Sequence, residues 1–164
     1  MGNIGKIENR KAYHDYEIIE KIISSPYEES TKIIQNIYKE PIKENLIGER
    51  IEQIKKENVV CAVSSIPQLA EKYIGIAIES GVDIFVVQST VTTAKHISSS
   101  YKPLDLYKFC KEAKVPIIIG NCVTFDVAYQ LMETGTDGLL VGIGPGAACT
   151  TREVLGIGVP QVTA

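Results

Sequence analysis

The chain has 164 residues, of which 45% are hydrophobic and 23% charged, and its formal net charge is −3. That length and composition suit a globular protein with one domain and a substantial core. A slightly acidic chain carries no basic footprint for nucleic acid, no apolar run is long enough to span a bilayer, and Met1–Lys6 lacks the apolar core of a signal peptide.

The expected setting is therefore cytoplasmic, with no nucleic-acid or membrane partner. Cys61, Cys110, Cys122 and Cys149 are widely spaced and make no paired metal-ligand pattern, so reduced thiols are expected. Residues 3–8 read as a short strand. From Tyr13 to Glu40 isoleucines recur at helical spacing (Ile18, Ile19, Ile22 and Ile23, then Ile33, Ile34 and Ile37). Ser24-Ser25-Pro26 divides that stretch into two amphipathic helices. Pro41 is read as opening a third helix, with Ile42, Leu46, Ile47, Ile51 and Ile54 as its apolar stripe.

From residue 59 strands and helices alternate. Val59–Val63, Asp83–Val87, Val115–Ile119 and Gly138–Val141 read as strands. Helices are predicted over 67–80, 104–113 and 125–133, with a polar loop over 88–100. Near-continuous apolar strands between amphipathic helices predict an α/β fold with a parallel sheet covered by helices. Glu79-Ser80-Gly81-Val82-Asp83 and Glu133-Thr134-Gly135-Thr136-Asp137 share one layout. In each, the glycine can end a helix in the left-handed conformation and the aspartate starts the next strand. A barrel and an open doubly wound sheet both produce such a pattern.

After the last strand comes Gly142-Ile143-Gly144-Pro145-Gly146-Ala147-Ala148-Cys149-Thr150-Thr151-Arg152. Glycines let a backbone turn tightly and approach a ligand closely. Cys149 stands outside the apolar elements that hold the other three cysteines, beside two hydroxyls and a cation. A thiol so delivered at the end of a parallel-sheet strand suits covalent catalysis. Gly142-x-Gly144-x-x-Ala147 also fits a dinucleotide fingerprint. However, no clean amphipathic helix follows it, and no second strand brings an acidic ribose ligand.

Gly142–Arg152 resembles the active-site signature of the IMP dehydrogenase/GMP reductase family, and the resemblance runs on through Glu153–Ala164. Gly120-Asn121-Cys122-Val123-Thr124 resembles the family's fifth-strand motif, and Gly81–Val87 its fourth strand. The resemblance implies a partial (β/α)8 TIM barrel, about strands 2 to 6 with their helices. Residues 1–164 would form a single incomplete barrel catalytic domain, with 1–57 a helical lead-in and 58–164 regular βα units. Cys149 would be the nucleophile that adds to C2 of a purine nucleotide. Thr151 would handle the thiol proton or the water, with capping of a following helical turn as its other reading.

Further roles follow from the same resemblance. Gly146, Ala147 and Cys149 would face the substrate, and Gln88, Ser89, Thr90, Asn121, Gly142 and Gly144 the cofactor. The main-chain carbonyls of Gly144, Gly146 and Cys149 would hold a potassium ion. Arg152 is read as a structural contact. The implied activity is oxidation of IMP to XMP with NAD, by a homotetramer at full length. NADPH-dependent reduction of GMP and a non-catalytic purine-nucleotide module are the alternatives.

Two positions depart from the family pattern. Ala147 stands where most members carry a phosphate-binding serine, and Gln88 where dehydrogenases place an aspartate on the nicotinamide ribose. These departures, and the fifty-odd residues before Val59, imply the branch without CBS domains. His96 is read as a surface residue, and His14 has no assigned role. At most five βα units are legible where a closed barrel needs eight. The expectation is an incomplete barrel with no turnover by itself.

Overall fold

The computed structural model describes residues 2–4 and 15–164. Most of the strand read over residues 3–8, the start of the first helix at Tyr13, and His14 lie outside the described residues. The elements are β1 (Gly2–Asn3), α1 (Asp15–Ile23), α2 (Tyr27–Tyr38), α3 (Glu44–Lys56), β2 (Ala62–Ser65) and α4 (Pro67–Glu79). They continue with β3 (Ile84–Gln88), α5 (Leu106–Glu112), β4 (Ile117–Cys122), α6 (Phe125–Glu133), β5 (Gly138–Val141) and α7 (Thr151–Leu155).

The strands form one parallel sheet in the order β1-β2-β3-β4-β5, each paired with its neighbour in sequence. A doubly wound sheet reverses its order at a switch point, and this one never reverses. Strand residues alternate between faces. Val63, Phe85, Val87, Ile117 and Ile119 are buried against Ile47, Ile51, Tyr73, Ala77, Phe109 and Leu131 of the covering helices. Ser64, Val86 and Ile118 take the opposite face by that alternation. Helices on one face of a sequentially ordered parallel sheet make an arc of a (β/α)8 barrel, the expected fold class. The strands' carboxyl ends therefore share one rim.

Element boundaries differ from the sequence reading by one to three residues, four of them with a visible local setting. β2 starts at Ala62 rather than Val59, leaving Val59 and Val60 51% and 72% exposed ahead of the sheet. β4 starts later than Val115 and runs on to Cys122, because its end pairs with β5 as far as Val141. α3 begins at Glu44, not Pro41, with Lys43 still extended ahead of it. α5 begins at Leu106, where the Asp105 carboxylate caps it by accepting from the Lys108 N–H at 3.1 Å.

The repeated glycine–aspartate layout explains where β2 and β4 begin. Gly81 and Gly135 have φ of +88° and +85°, which ends their helices in the left-handed region. Two residues on, each aspartate grips the preceding strand twice. The Cys61 N–H donates to Asp83 Oδ2 at 2.7 Å, and the Asp83 N–H donates to the Cys61 carbonyl at 2.9 Å. The Ile117 N–H donates to Asp137 Oδ2, and the Asp137 N–H to the Ile117 carbonyl, both at 2.8 Å. These bonds hold the register at the bottom of β2 and β4. Lys55 also donates to both Asp83 oxygens at 2.8 Å.

The Lys55 ammonium and the Cys61 N–H hold the Asp83 carboxyl below the usual carboxylate range. A group whose pKa is depressed on folding stabilises the fold above its unfolded value and loses that effect as pH falls through the folded one. Asp83→Asn should therefore be less stable than the wild type at neutral pH. The difference should narrow as acid protonates Asp83, as urea midpoints measured from pH 7 to pH 3 would reveal.

Candidate active site

The site forms where β3, β4 and β5 end. In the β4–β5 pairing Gly120 faces Leu140 and Cys122 faces Val141, so Asn121 is an extra residue in β4. A β-bulge of this kind re-aims a side chain. The Asn121 main chain bonds to the loop after β3: its N–H donates to the Ser89 carbonyl at 3.1 Å, and its carbonyl accepts from the Thr92 N–H at 2.9 Å. Its side chain spans the strand ends. Gln88 Nε2 donates to Asn121 Oδ1 at 3.1 Å, and Asn121 Nδ2 donates to the Gly142 carbonyl at 2.8 Å. A chain of amides thus links β3 to the first residue of the cysteine loop.

Gly142 has a φ of +124° and its N–H donates to the Cys122 carbonyl at 2.8 Å, while Gly144 has a φ of +56°. An L-residue is strained at both angles, so glycine sets the path of the loop. Between them Ile143 is buried and anchors the bend. Its carbonyl accepts from the Val159 N–H at 2.9 Å, which folds the chain after α7 back along the loop. Beyond Gly144 the loop turns at Gly146-Ala147-Ala148, where the Cys149 N–H donates to the Gly146 carbonyl at 3.1 Å. Ala147 is exposed in that turn.

Cys149 is half-buried, and its Sγ donates to Thr151 Oγ1 at 3.2 Å. In the thiolate form the same hydroxyl becomes the donor. That bond, the Thr151 N–H and the charge of Arg152 bring the Cys149 thiol below its ordinary pKa. Burial pushes the thiols of Cys61, Cys110 and Cys122 up. A thiolate is the attacking species, and of the four thiols Cys149 is the one whose surroundings favour that form. The helix cap falls on Thr150, whose side chain makes no cap bond. Thr151 is the first residue within α7, and its hydroxyl meets sulfur instead of capping.

The structure thus joins Cys149, Thr151 and Gly146 in one group and Gln88, Asn121 and Gly142 in another. Ser89 is occupied, its hydroxyl 2.6 Å from the Val91 carbonyl and 2.8 Å from Thr92 Oγ1. Thr90 is exposed at the end of β3. Its hydroxyl and Gln88 Oε1 are groups of the kind that hydrogen-bond a nucleoside's hydroxyls and amide. A potassium ion fits less well. A carbonyl oxygen has two lone pairs, and Gly146 O already accepts from Cys149 N and, at 3.3 Å, from Arg152 Nη2. His96 is exposed and stacks on Tyr101 with ring centroids 5.7 Å apart.

Sequence reasoning missed Thr92 and Gln161. Buried Thr92 donates to the Gly120 carbonyl at 2.6 Å, and Gln161 Nε2 donates to the Val141 carbonyl at 3.4 Å. Neither lies in a local pattern, because each reaches its partner across the fold.

Residues 6–164 match the profile of the IMP dehydrogenase / GMP reductase domain. The chain belongs to the IMP dehydrogenase/GMP reductase family. An uncharacterized oxidoreductase of Mycobacterium tuberculosis is 33% identical over 151 residues, covering 90% of this chain and 40% of that protein. The inosine-5'-monophosphate dehydrogenase of Cryptosporidium parvum is 40% identical over 89 residues, covering 54% of this chain and 21% of that enzyme. An IMP dehydrogenase/GMP reductase-like protein from Corynebacterium glutamicum superposes with a TM-score of 0.83 at 31% identity, over 99% of this chain and 42% of that one. The chain therefore spans about two fifths of the length of the Mycobacterium tuberculosis and Corynebacterium glutamicum proteins.

Cys149 with its Thr151 hydroxyl and the Gln88–Asn121–Gly142 amide chain are the two groups of this candidate site that substitution can test. Thr151→Val should raise the thiol pKa and slow alkylation of Cys149 by iodoacetamide at pH 7.5, read by peptide mass spectrometry. Cys149 should still outpace Cys61, Cys110 and Cys122, whose thiols burial pushes up. At Gly120 a Cβ would lie 2.5 Å from Leu140 Cβ and 2.7 Å from Leu140 O. Gly120→Ala should cost about 1–3 kcal/mol of stability by overpacking, measured by urea unfolding.

Proposed function

We propose that this chain forms the nucleophile-bearing part of an oxidoreductase that converts the purine nucleotide IMP to XMP with NAD. The observation that carries this reading is the Cys149–Thr151 pair at 3.2 Å, with a lowered thiol pKa, in the family's signature loop. Cys149 Sγ, as thiolate, adds to C2 of the purine and forms a C–S bond. NAD, when bound, would accept the hydride released as the C2–H bond breaks. Water then adds at C2 as the C–S bond breaks, which returns the thiolate and leaves the C2 oxygen of XMP.

The Thr151 hydroxyl takes the thiol proton's place as hydrogen-bond donor to sulfur, and the same group orients the attacking water. Gly146 and Ala147 present main-chain groups to the nucleotide, and Ala147 has no hydroxyl to offer its phosphate. Gln88, Ser89, Thr90, Asn121, Gly142 and Gly144 line the cofactor side. There Gln88 and Asn121 keep the strand ends in register while their remaining polar atoms meet the nicotinamide ribose. The working form is a cytoplasmic homotetramer of the full-length protein, in which further barrel units complete the nucleotide site.

GMP reduction with NADPH is the second reading. Gln88 favours it, because a neutral amide stands where a dehydrogenase has a carboxylate. The same thiol would then bond to C2 as ammonia leaves.

The test is covalent capture in the full-length protein bearing this sequence. A 6-chloropurine nucleotide should add its mass, less chloride, at Cys149, and Cys149→Ala should abolish both labelling and turnover. NADH formation with IMP supports the dehydrogenase; NADPH consumption with GMP supports the reductase. Unchanged turnover in Cys149→Ala would overturn both.

A further inference from the structure

We propose that the Arg152 guanidinium is the resident cation of the cysteine loop, seated on the Gly146 carbonyl where the family resemblance implies potassium. The loop is then ordered without a bound monovalent metal. Three features of the fold carry this inference.

The first is occupancy. Gly146 O accepts from Arg152 Nη2 at 3.3 Å and from Cys149 N at 3.1 Å, two donors for an oxygen with two lone pairs. A second cation sharing that oxygen would sit against the guanidinium and be repelled by its charge.

The second is reach. Arg152 is the second residue of α7. Side chains on a helix lean toward its N-terminus, and here that direction leads back to the Gly146–Cys149 turn. The arginine stem crosses Gly158: a Cβ there would overlap Arg152 Cγ and lie 2.8 Å from its Cδ. The Val159 N–H, bonded to the Ile143 carbonyl, holds Gly158 in place beneath it. The backbone after α7 thus leaves a channel whose contents are the arginine side chain.

The third is the absence of a competitor. Among the described residues Arg152 makes no ion pair with a carboxylate. Its charge is directed at a carbonyl oxygen and toward the thiol, the two groups that a loop cation would serve.

The inference is independent of the reaction proposed above, and none of its readouts is turnover. The wild-type chain should have the same Tm in 0.1 M potassium chloride as in choline chloride, and should give no saturable thallium-205 shift on titration with thallous ion. Arg152→Gln, which keeps an amide donor but removes the charge, should gain a potassium-specific rise in Tm of about 2–4 °C, the size expected when an ion binds a domain of this length at several times its Kd. It should also gain saturable thallous binding. Gly158→Ala, which keeps the charge but closes the channel, should gain the same response. Saturable thallous binding by the wild type, or a potassium response equal in wild type and variants, would overturn the inference. So would its absence in both variants. The wild-type titration decides the matter if either variant fails to fold.

Discussion

The single extra residue in β4 sets the geometry of the rim where β3, β4 and β5 end. Without the bulge, Asn121 would continue the ladder with β5, and its side chain would take one face of the sheet by alternation. With it, the Asn121 main chain turns to Ser89 and Thr92, and its amide bridges Gln88 to Gly142. One side chain in β4 thus joins the end of β3 to the residue just past β5. The first residue of the cysteine loop is thereby fixed relative to the loop after β3. Beside the bulge β4 and β5 approach closely at Gly120, where no side chain has room. A backbone contact between two strands thus governs where a thiol some distance along the chain is presented.

The four cysteines show how environment alone separates reactivity. Three sit where burial disfavours charge, and their thiols are pushed up. Cys149 has a hydroxyl, an N–H and a guanidinium nearby, all of which favour the anion. Nothing in the chemistry of cysteine distinguishes them; the difference is what surrounds each sulfur. The chain beyond α7 contributes to that setting, because Gly158 leaves room for Arg152 and Val159 ties it to Ile143.

Most of the fold was legible locally. Apolar runs of four to six residues between amphipathic stretches mark the strands. The repeated glycine–aspartate layout marks the turns between them. The two short isoleucine helices and the Ser24-Ser25-Pro26 break are visible in the same way. Boundaries were less legible. Val59 and Val60 have strand-forming side chains, but the sheet begins where Asp83 grips Cys61. That grip joins residues 22 apart in sequence. Likewise Pro41 is a good first residue for a helix, yet α3 waits until Glu44.

The sequence by itself determined the α/β character, the glycine path of the cysteine loop and the isolation of Cys149 from apolar neighbours. Each depends on residues adjacent in the chain, whose spacing and conformational freedom are local properties. Only the tertiary structure decided between a barrel arc and a doubly wound sheet, because both are written in the same alternation and differ only in which strands pair. It alone showed that Thr151 faces sulfur rather than capping α7. It alone joined Gln88, Asn121 and Gly142, and laid Arg152 over Gly158 onto Gly146. Those contacts join side chains to backbone that comes near only after the strands have paired, and no periodicity in one chain encodes that proximity.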